Sequence, residues 1–181
     1  MKFYHGTRDG NLKELTLNHW SGKIFLTTDY GTAFLYGASP MRCYGFNKKT
    51  GKVIICERAK DGFKTMYSGK KCYIFSCEAD DIEKIDQLPM NSIYVSNKPV
   101  TLGEREEISD CYEKLLELGR QGAIELDLWD NHSPEEQARI KEQFFKDMQP
   151  QMADNKKRFR EVYDVCVSLY PELAIQDEGE V

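Results

Sequence analysis

An α+β domain is what this chain of 181 residues predicts, on three observations. Short runs of β-branched and aromatic residues, punctuated by Gly, Asn and Pro, fill roughly the first hundred positions. Longer stretches with a 3.6-residue apolar period fill the rest. The length suits one compact domain with a short appendage.

Composition narrows the class further. Apolar residues make up 40% and charged residues 30%, with a mean hydropathy of -0.61, enough for a core and too much for a disordered or fibrous chain. Lys plus Arg at 25 against Asp plus Glu at 30 gives 25 − 30 = −5, which argues against sequence-independent binding to DNA or to an anionic membrane. No apolar run approaches the ~20 residues of a membrane-spanning helix. Met1 to His5 lacks the apolar stretch of a signal peptide, so the expected location is cytoplasmic. The cysteines Cys43, Cys56, Cys72, Cys77, Cys111 and Cys166 form no C-x-x-C pair and the chain has 3 histidines, so no metal site is expected and the thiols read as reduced core residues.

In chain order, Lys2 to Tyr4 reads as a first strand stopped by Gly6, Asn11 to Leu17 as a short helical or irregular segment, and Lys23 to Thr27 as a strand. Asp29 can cap a short helix over Gly31 to Ala38, with Ala33, Tyr36 and Gly37 on one face. Tyr44-Gly45-Phe46, a turn at Asn47 to Gly51, and Lys52 to Cys56 form a hairpin. Cys72 to Cys77 suits a buried central strand, and Ser92 to Ser96, bracketed by Pro89 and Pro99, a shorter one. Thr101 and Glu104 stand in capping-box spacing ahead of a stripe of Ile108, Cys111, Tyr112, Leu115 and Leu116, which predicts a helix from Thr101 to Gly119 or Gly122. Ser133-Pro134 starts a second helix ending near Gln149, burying Ile140, Phe144 and Met148. A third carries Phe159, Tyr163, Cys166, Val167 and Tyr170, and residues 176–181 read as a frayed acidic end. The implied division is a core over 1–100 and a helical extension over 101–181 packed on it.

Two constellations can carry chemistry. Phe3-Tyr4-His5-Gly6-Thr7 delivers a histidine and a glycine at a strand end, where the histidine can donate to a ribose hydroxyl and the glycine admits a close backbone approach. Phe25 and Tyr36, eleven positions apart on a strand and the helix after it, can face one another across a planar heterocycle. Taken singly, each has a plain structural alternative: a satisfied histidine beside a turn, and two core rings.

Together, and in this order, they resemble the NAD-binding core of the ADP-ribosyltransferase superfamily. The small rifampin ADP-ribosyltransferases are most similar, through Phe3-Tyr4-His5-Gly6-Thr7, through Tyr73 to Asp81 as a strand followed by an acidic pair, and through Ser92-Ile93-Tyr94-Val95-Ser96. The likeness covers about residues 3 to 100 and implies a split antiparallel sheet. It also implies NAD as substrate, with His5 on the adenosine-side ribose, the Gly6 backbone on the nicotinamide amide, and Phe25 with Tyr36 around the nicotinamide ring. Thr7 completes the motif, and Arg8 is a candidate for the pyrophosphate. Phe25 departs from the tyrosine usual there, keeping the ring and losing a hydroxyl.

The chemistry of that family needs a carboxylate against an oxocarbenium-like ribose. Where other branches place a late-strand Glu, this chain has Asn91 and Ser92. The rifampin pattern points instead to Asp81 or Asp80, although Glu78-Ala79-Asp80-Asp81 is equally an ordinary helix start. Between Arg42 and Lys71, 9 basic residues stand against Glu57 and Asp61, 9 − 2 = +7, suited to a pyrophosphate, a nucleic acid or an acidic partner, or simply a solvated hairpin face.

The expected activity is transfer of ADP-ribose from NAD to an acceptor that is protein, nucleic acid or small molecule. The alternatives are a catalytically silent nucleotide- or partner-binding module of the same fold and an RNA 2′-phosphotransferase.

Overall fold

The computed structural model describes residues 1–18, 21–41, 43–85 and 92–175. Arg42, Pro89, Asn91 and the acidic end 176–181 lie outside the described residues, so the expectations placed on them have no structural counterpart. The chain runs β1 (Phe3–Thr7), β2 (Glu14–Leu15), β3 (Ile24–Thr27), α1 (Tyr30–Ala38), β4 (Tyr44–Phe46), β5 (Val53–Cys56), α2 (Gly62–Tyr67), β6 (Cys72–Cys77) and β7 (Ile82–Lys84). It continues with β8 (Ile93–Ser96), β9 (Val100–Thr101), β10 (Arg105–Ile108), α3 (Cys111–Arg120), β11 (Glu125–Asp127), α4 (Pro134–Met148), α5 (Met152–Arg158) and α6 (Arg160–Leu169). The expected α+β class is what the structure has.

A 6-stranded sheet in the order β10-β6-β1-β3-β8-β7 is the frame, every neighbouring pair antiparallel. β6 pairs along its length with β1 and β10, as its apolar run predicts. Alternation divides the faces. Phe3, Ile24, Leu26 and Cys77 join Leu15 and Val100 in a small core on one face. On the other, α1 crosses β1, and a larger core gathers Phe34, Leu35 and Ala38 with Cys72, Ile74, Ile108, Cys111, Leu115, Tyr163 and Cys166. A 3-stranded sheet, β11-β5-β4, stands beside this core and holds the expected hairpin. All six cysteines are free, five of them buried.

Three sequence expectations are corrected. The helix from Thr101 does not form. Val100 and Thr101 pair with Leu15 and Glu14, the Gly103 amide donates to the Ser76 carbonyl, and residues 105–108 extend the main sheet. Strand partners supplied by tertiary structure outweigh a local capping pattern. The helix begins at Cys111, where the Asp110 carboxylate accepts the amides of Tyr112 and Glu113. The segment after residue 100 therefore supplies β9, β10 and β11 as well as helices, and the small and main sheets both draw on it. The third helix forms as α6, but Phe159 stands at its N-cap (φ -129, ψ 56) with its ring exposed instead of joining the apolar face, and a separate helix, α5, precedes it. Strand β1, finally, runs through Gly6 to Thr7 instead of stopping there. By contrast, α4 starts with the full Ser133–Glu136 capping box and buries Phe144, with Ile140 and Met148 half-buried.

Candidate functional site

The site is built on a backbone-to-backbone crossing. A Cβ on Gly6 would fall 1.7 Å from the Ala33 carbonyl oxygen and 2.8 Å from the Gly37 nitrogen; one on Gly37 would fall 3.0 Å from the Thr7 nitrogen and 3.3 Å from the Cys72 Cβ. Three small residues, Gly6, Ala33 and Gly37, let α1 rest directly on β1. The helix is anchored at its start by Asp29, whose carboxylate accepts the Thr32 amide at 2.7 Å and hydroxyl at 2.6 Å.

This crossing sets the two aromatic candidates. At about 100° per helical residue, Tyr36 projects from the flank of α1 opposite Phe34 and Ala38. Those two pack into the larger core, and Tyr36 stands on the half-exposed side of α1, where its ring meets Tyr44. Phe25 alternates away from the buried Ile24 and Leu26 and stands on the α1 face of β3. β1 and β3 are joined through Tyr4↔Thr27, with Gly6 two residues further along β1 and Phe25 two residues back along β3. Both rings are open to solvent, Phe25 at 46% and Tyr36 at 50%, so neither is a core residue.

His5 sits where the sheet parts. β1 pairs with β6 through five residues but with β3 through Tyr4↔Thr27 alone. Beyond that pair the two strands separate, and the His5 imidazole bridges the gap by donating to the Phe25 carbonyl. Burial, the larger influence, holds its pKa below the ordinary value against the raising effect of that hydrogen bond. At neutral pH His5 is an uncharged ring.

The other predicted residues fall into three places. Thr7 closes the β1 end, its hydroxyl accepting the Asp9 amide at 3.1 Å. Arg8 is already engaged: its guanidinium donates to the Ala38 carbonyl at 3.0 Å and to Glu161, whose second oxygen lies 2.9 Å from Lys70. Burial would raise the Glu161 pKa, but the two cations prevail and lower it. Arg8 thus ties the end of β1 to α1 and α6.

Asp81 lies just before β7, with φ 58 and its carboxylate 2.5 Å from the Lys98 ammonium, both side chains largely exposed. The Lys98 hydrogen bond lowers its pKa. Strands β3 and β8 separate β7 from β1, so the structure does not bring Asp81 against His5.

A residue the sequence reading passed over stands nearer the rings. Phe25 pairs with Val95, and Val95 with Glu83, so the three side chains share one face at one level of the sheet. Glu83 is exposed and has no hydrogen-bond or ion-pair partner among the described residues. The signal was the alternation Ile82-Glu83-Lys84, which marks a strand where the acidic string before it had suggested a helix start. On β8 itself this face carries Ile93 and Val95, and the Ser92 hydroxyl is 3.2 Å from that of Thr27.

A groove of about 360 Å³ on the far side of α1 is separate from these rings. Lys2, Tyr4, Tyr30, Ser76, Glu104 and Glu106 line it, and Tyr30 donates to Glu106 at 2.9 Å. Among the described residues, no group of three or more His, Cys, Asp or Glu side chains could hold a metal, and no helix is long and apolar enough to cross a membrane. No family model, no curated protein and no solved structure matches the chain.

Proposed function

We propose that this protein binds NAD on the face bounded by Phe25, Gly6 and Tyr36 and transfers its ADP-ribose to an acceptor. What carries the reading is one observation: two aromatic rings, each about half exposed, stand on β3 and on α1, the strand and the helix next to the buried Gly6. Exposed rings placed by a rigid strand and helix are suited to holding a planar, electron-poor heterocycle. His5, next to Gly6 on β1 but turned to the opposite face of the sheet, supports the reading by engaging the Phe25 backbone from that side.

In the proposed reaction the bond between the nicotinamide nitrogen and the ribose C1 breaks, and nicotinamide leaves with the bonding pair as a neutral molecule. A lone pair on an acceptor oxygen or nitrogen forms the new bond to C1, and the acceptor gives its proton to solvent. The chain's part is to orient both reactants and to place a carboxylate near the developing positive charge. Asp81, from the sequence pattern, and Glu83, from the row it shares with Phe25, are the two candidates.

A second reading has its own support. The β8 face beside Phe25 offers Ile93 and Val95 and no acid, as a nucleotide-binding module without turnover would. Incubation with NAD labelled separately in the nicotinamide and adenine halves tests both. Nicotinamide release with adenine label on an acceptor supports transfer; saturable NAD binding without release supports the silent module; no binding overturns the site.

A further inference from the structure

We infer that the aromatic surface continuing from Tyr36 along β4 docks a single-stranded nucleic acid, which would be the acceptor. The naming of an acceptor rests on the transfer reading above; the docking surface rests on observations of its own. The Tyr36 ring meets Tyr44 with centroids 6.4 Å apart, and Tyr44 meets Phe46 at 5.7 Å. The rings therefore run in sequence from the candidate NAD face outward along β4. β4 is an edge strand of its sheet, and Tyr44 and Phe46 are half-buried there, packed on one side against the larger core.

Two lysines stand immediately beyond Phe46, and the turn that carries them is held in place. The Asn47 side-chain oxygen accepts the amides of Lys49 and Thr50. Its nitrogen donates to both Glu125 oxygens at 3.0 Å, and the Thr50 hydroxyl adds a third bond to Glu125. Lys48 and Lys49 themselves have no side-chain partner among the described residues. Three other lysines of the basic segment are engaged internally: Lys52 by the Gly122 carbonyl, Lys70 by Glu161, Lys71 by Glu107. Of its two acids, Glu57 is consumed by the amides of Phe63 and Trp129. Free cations at this turn are thus a local excess in a chain whose total is −5.

Rings followed by unpaired lysines on a fixed turn are what a single strand requires, bases against the rings and phosphates on the ammonium groups. A duplex hides its base faces, and an acidic peptide has no use for the rings. Since Tyr36 belongs to both surfaces, a strand laid along β4 would bring a base or sugar nucleophile to the ribose C1 vacated by nicotinamide. The acceptor's proton would pass to solvent.

The test is fluorescence anisotropy of the full chain with a mixed-sequence single-stranded RNA and DNA of about twelve nucleotides, the matching duplex, and heparin. Expected are saturable binding of a single strand and weaker binding of the duplex. The K48E/K49E double variant should lose affinity tenfold or more, with a salt slope reduced by about 1.4 for two lost phosphate contacts. Phe46→Leu, which keeps an apolar side chain but removes the flat face, should weaken the single strand and leave heparin unchanged. K60E/K64E serves as the control with the same charge change away from the rings. Equal losses in the two double variants, or a Phe46→Leu effect common to heparin and oligonucleotide, would overturn the docking surface. NAD binding by K48E/K49E should stay at the parental level. A parent that binds NAD but no oligonucleotide defeats this inference alone, whereas a parent that binds the strand but not NAD defeats the transfer reading and leaves the docking surface standing.

Discussion

Gly6 and Ala33 meet backbone to backbone: a Cβ built on Gly6 would lie 1.7 Å from the Ala33 carbonyl oxygen. That atom belongs to a hydrogen-bonded helix and cannot swing aside, so α1 would have to lift from β1 to admit even a methyl group. The relationship gives Gly6 a structural duty independent of any ligand. It also sets how α1, which carries Tyr36, lies on β1.

Gly6→Ala is therefore expected to destabilise the fold by about 3 kcal/mol or more, at or beyond the upper end of ordinary overpacking costs. Urea denaturation of the variant measures it directly. A variant as stable as the parent would mean that α1 does not rest on β1 at this residue.

Tyr36→Ala tests the ring surface without that complication, because Tyr36 is half exposed. Removing one stacking partner should weaken NAD binding by about 1 kcal/mol beyond the area lost, with little change in thermal stability. Tyr36→Phe should bind NAD like the parent. Unchanged affinity in Tyr36→Ala would remove the ring from the site.

His5 makes a prediction about pH. Its folded pKa lies below the usual value near 6.5, so between those two values the unfolded chain binds more protons. Stability contributed by neutral, buried His5 is complete above about pH 6.5 and is lost as the pH falls toward the folded pKa. In His5→Gln that slope should vanish. The parent-minus-variant stability, followed by urea denaturation at several values from pH 8 to 5, should fall on acidification. A difference that stays level across this range would show the ring to be solvated.

How much of this was legible in the residues depends on which interactions fixed each element. His5, Gly6, Phe25 and Tyr36 could be picked out because spacing along one strand and one strand-to-helix step carries the information locally. The α4 capping box was equally local. The Thr101–Glu104 spacing misled because the partners that decide it, Leu15 and Ser76, are remote in sequence. Phe159 counted as apolar stripe, but the helix starts one residue later and the ring turns outward. Glu83 was invisible for a related reason: its value lies in the cross-strand row with Val95 and Phe25, which only the assembled sheet defines.

Truncation after Pro99 measures how far the second half belongs to the same folding unit. The cut removes β9 and β10 from their pairings with β2 and β6, and β11 from β5. It also strips Ile108, Cys111, Leu115, Tyr163 and Cys166 from the larger core, exposing Cys72 and Ile74 beneath α1. The fragment is expected to lose cooperative unfolding and to expose apolar surface, read by calorimetry and dye binding. A soluble fragment with a sharp transition would show residues 100–175 to be a separable arm.

The carboxylate is decided by comparing Asp81→Asn with Glu83→Gln for nicotinamide release and for NAD binding in parallel. Asp81 is spoken for by Lys98 at the edge of the sheet, and a carboxylate already paired offers less field to a distant cation. Glu83 has no partner among the described residues and shares its row with Phe25, two strands across the sheet. Strand spacing puts that separation at about 10 Å between backbones, which a glutamate side chain and a ribose beside a stacked ring can close together. Glu83→Gln should therefore lower the release rate by a hundredfold or more, the scale of a lost electrostatic partner in a transition state, while NAD affinity changes little. Asp81→Asn should cost less, and Lys98→Met, which frees Asp81, should not restore a Glu83→Gln enzyme. A full loss in Asp81→Asn with Glu83→Gln at parental rate would return the role to the acid named by the sequence pattern. Parental rates in both would leave Glu104 and Glu106, across α1 in the separate groove, as the remaining acids to replace.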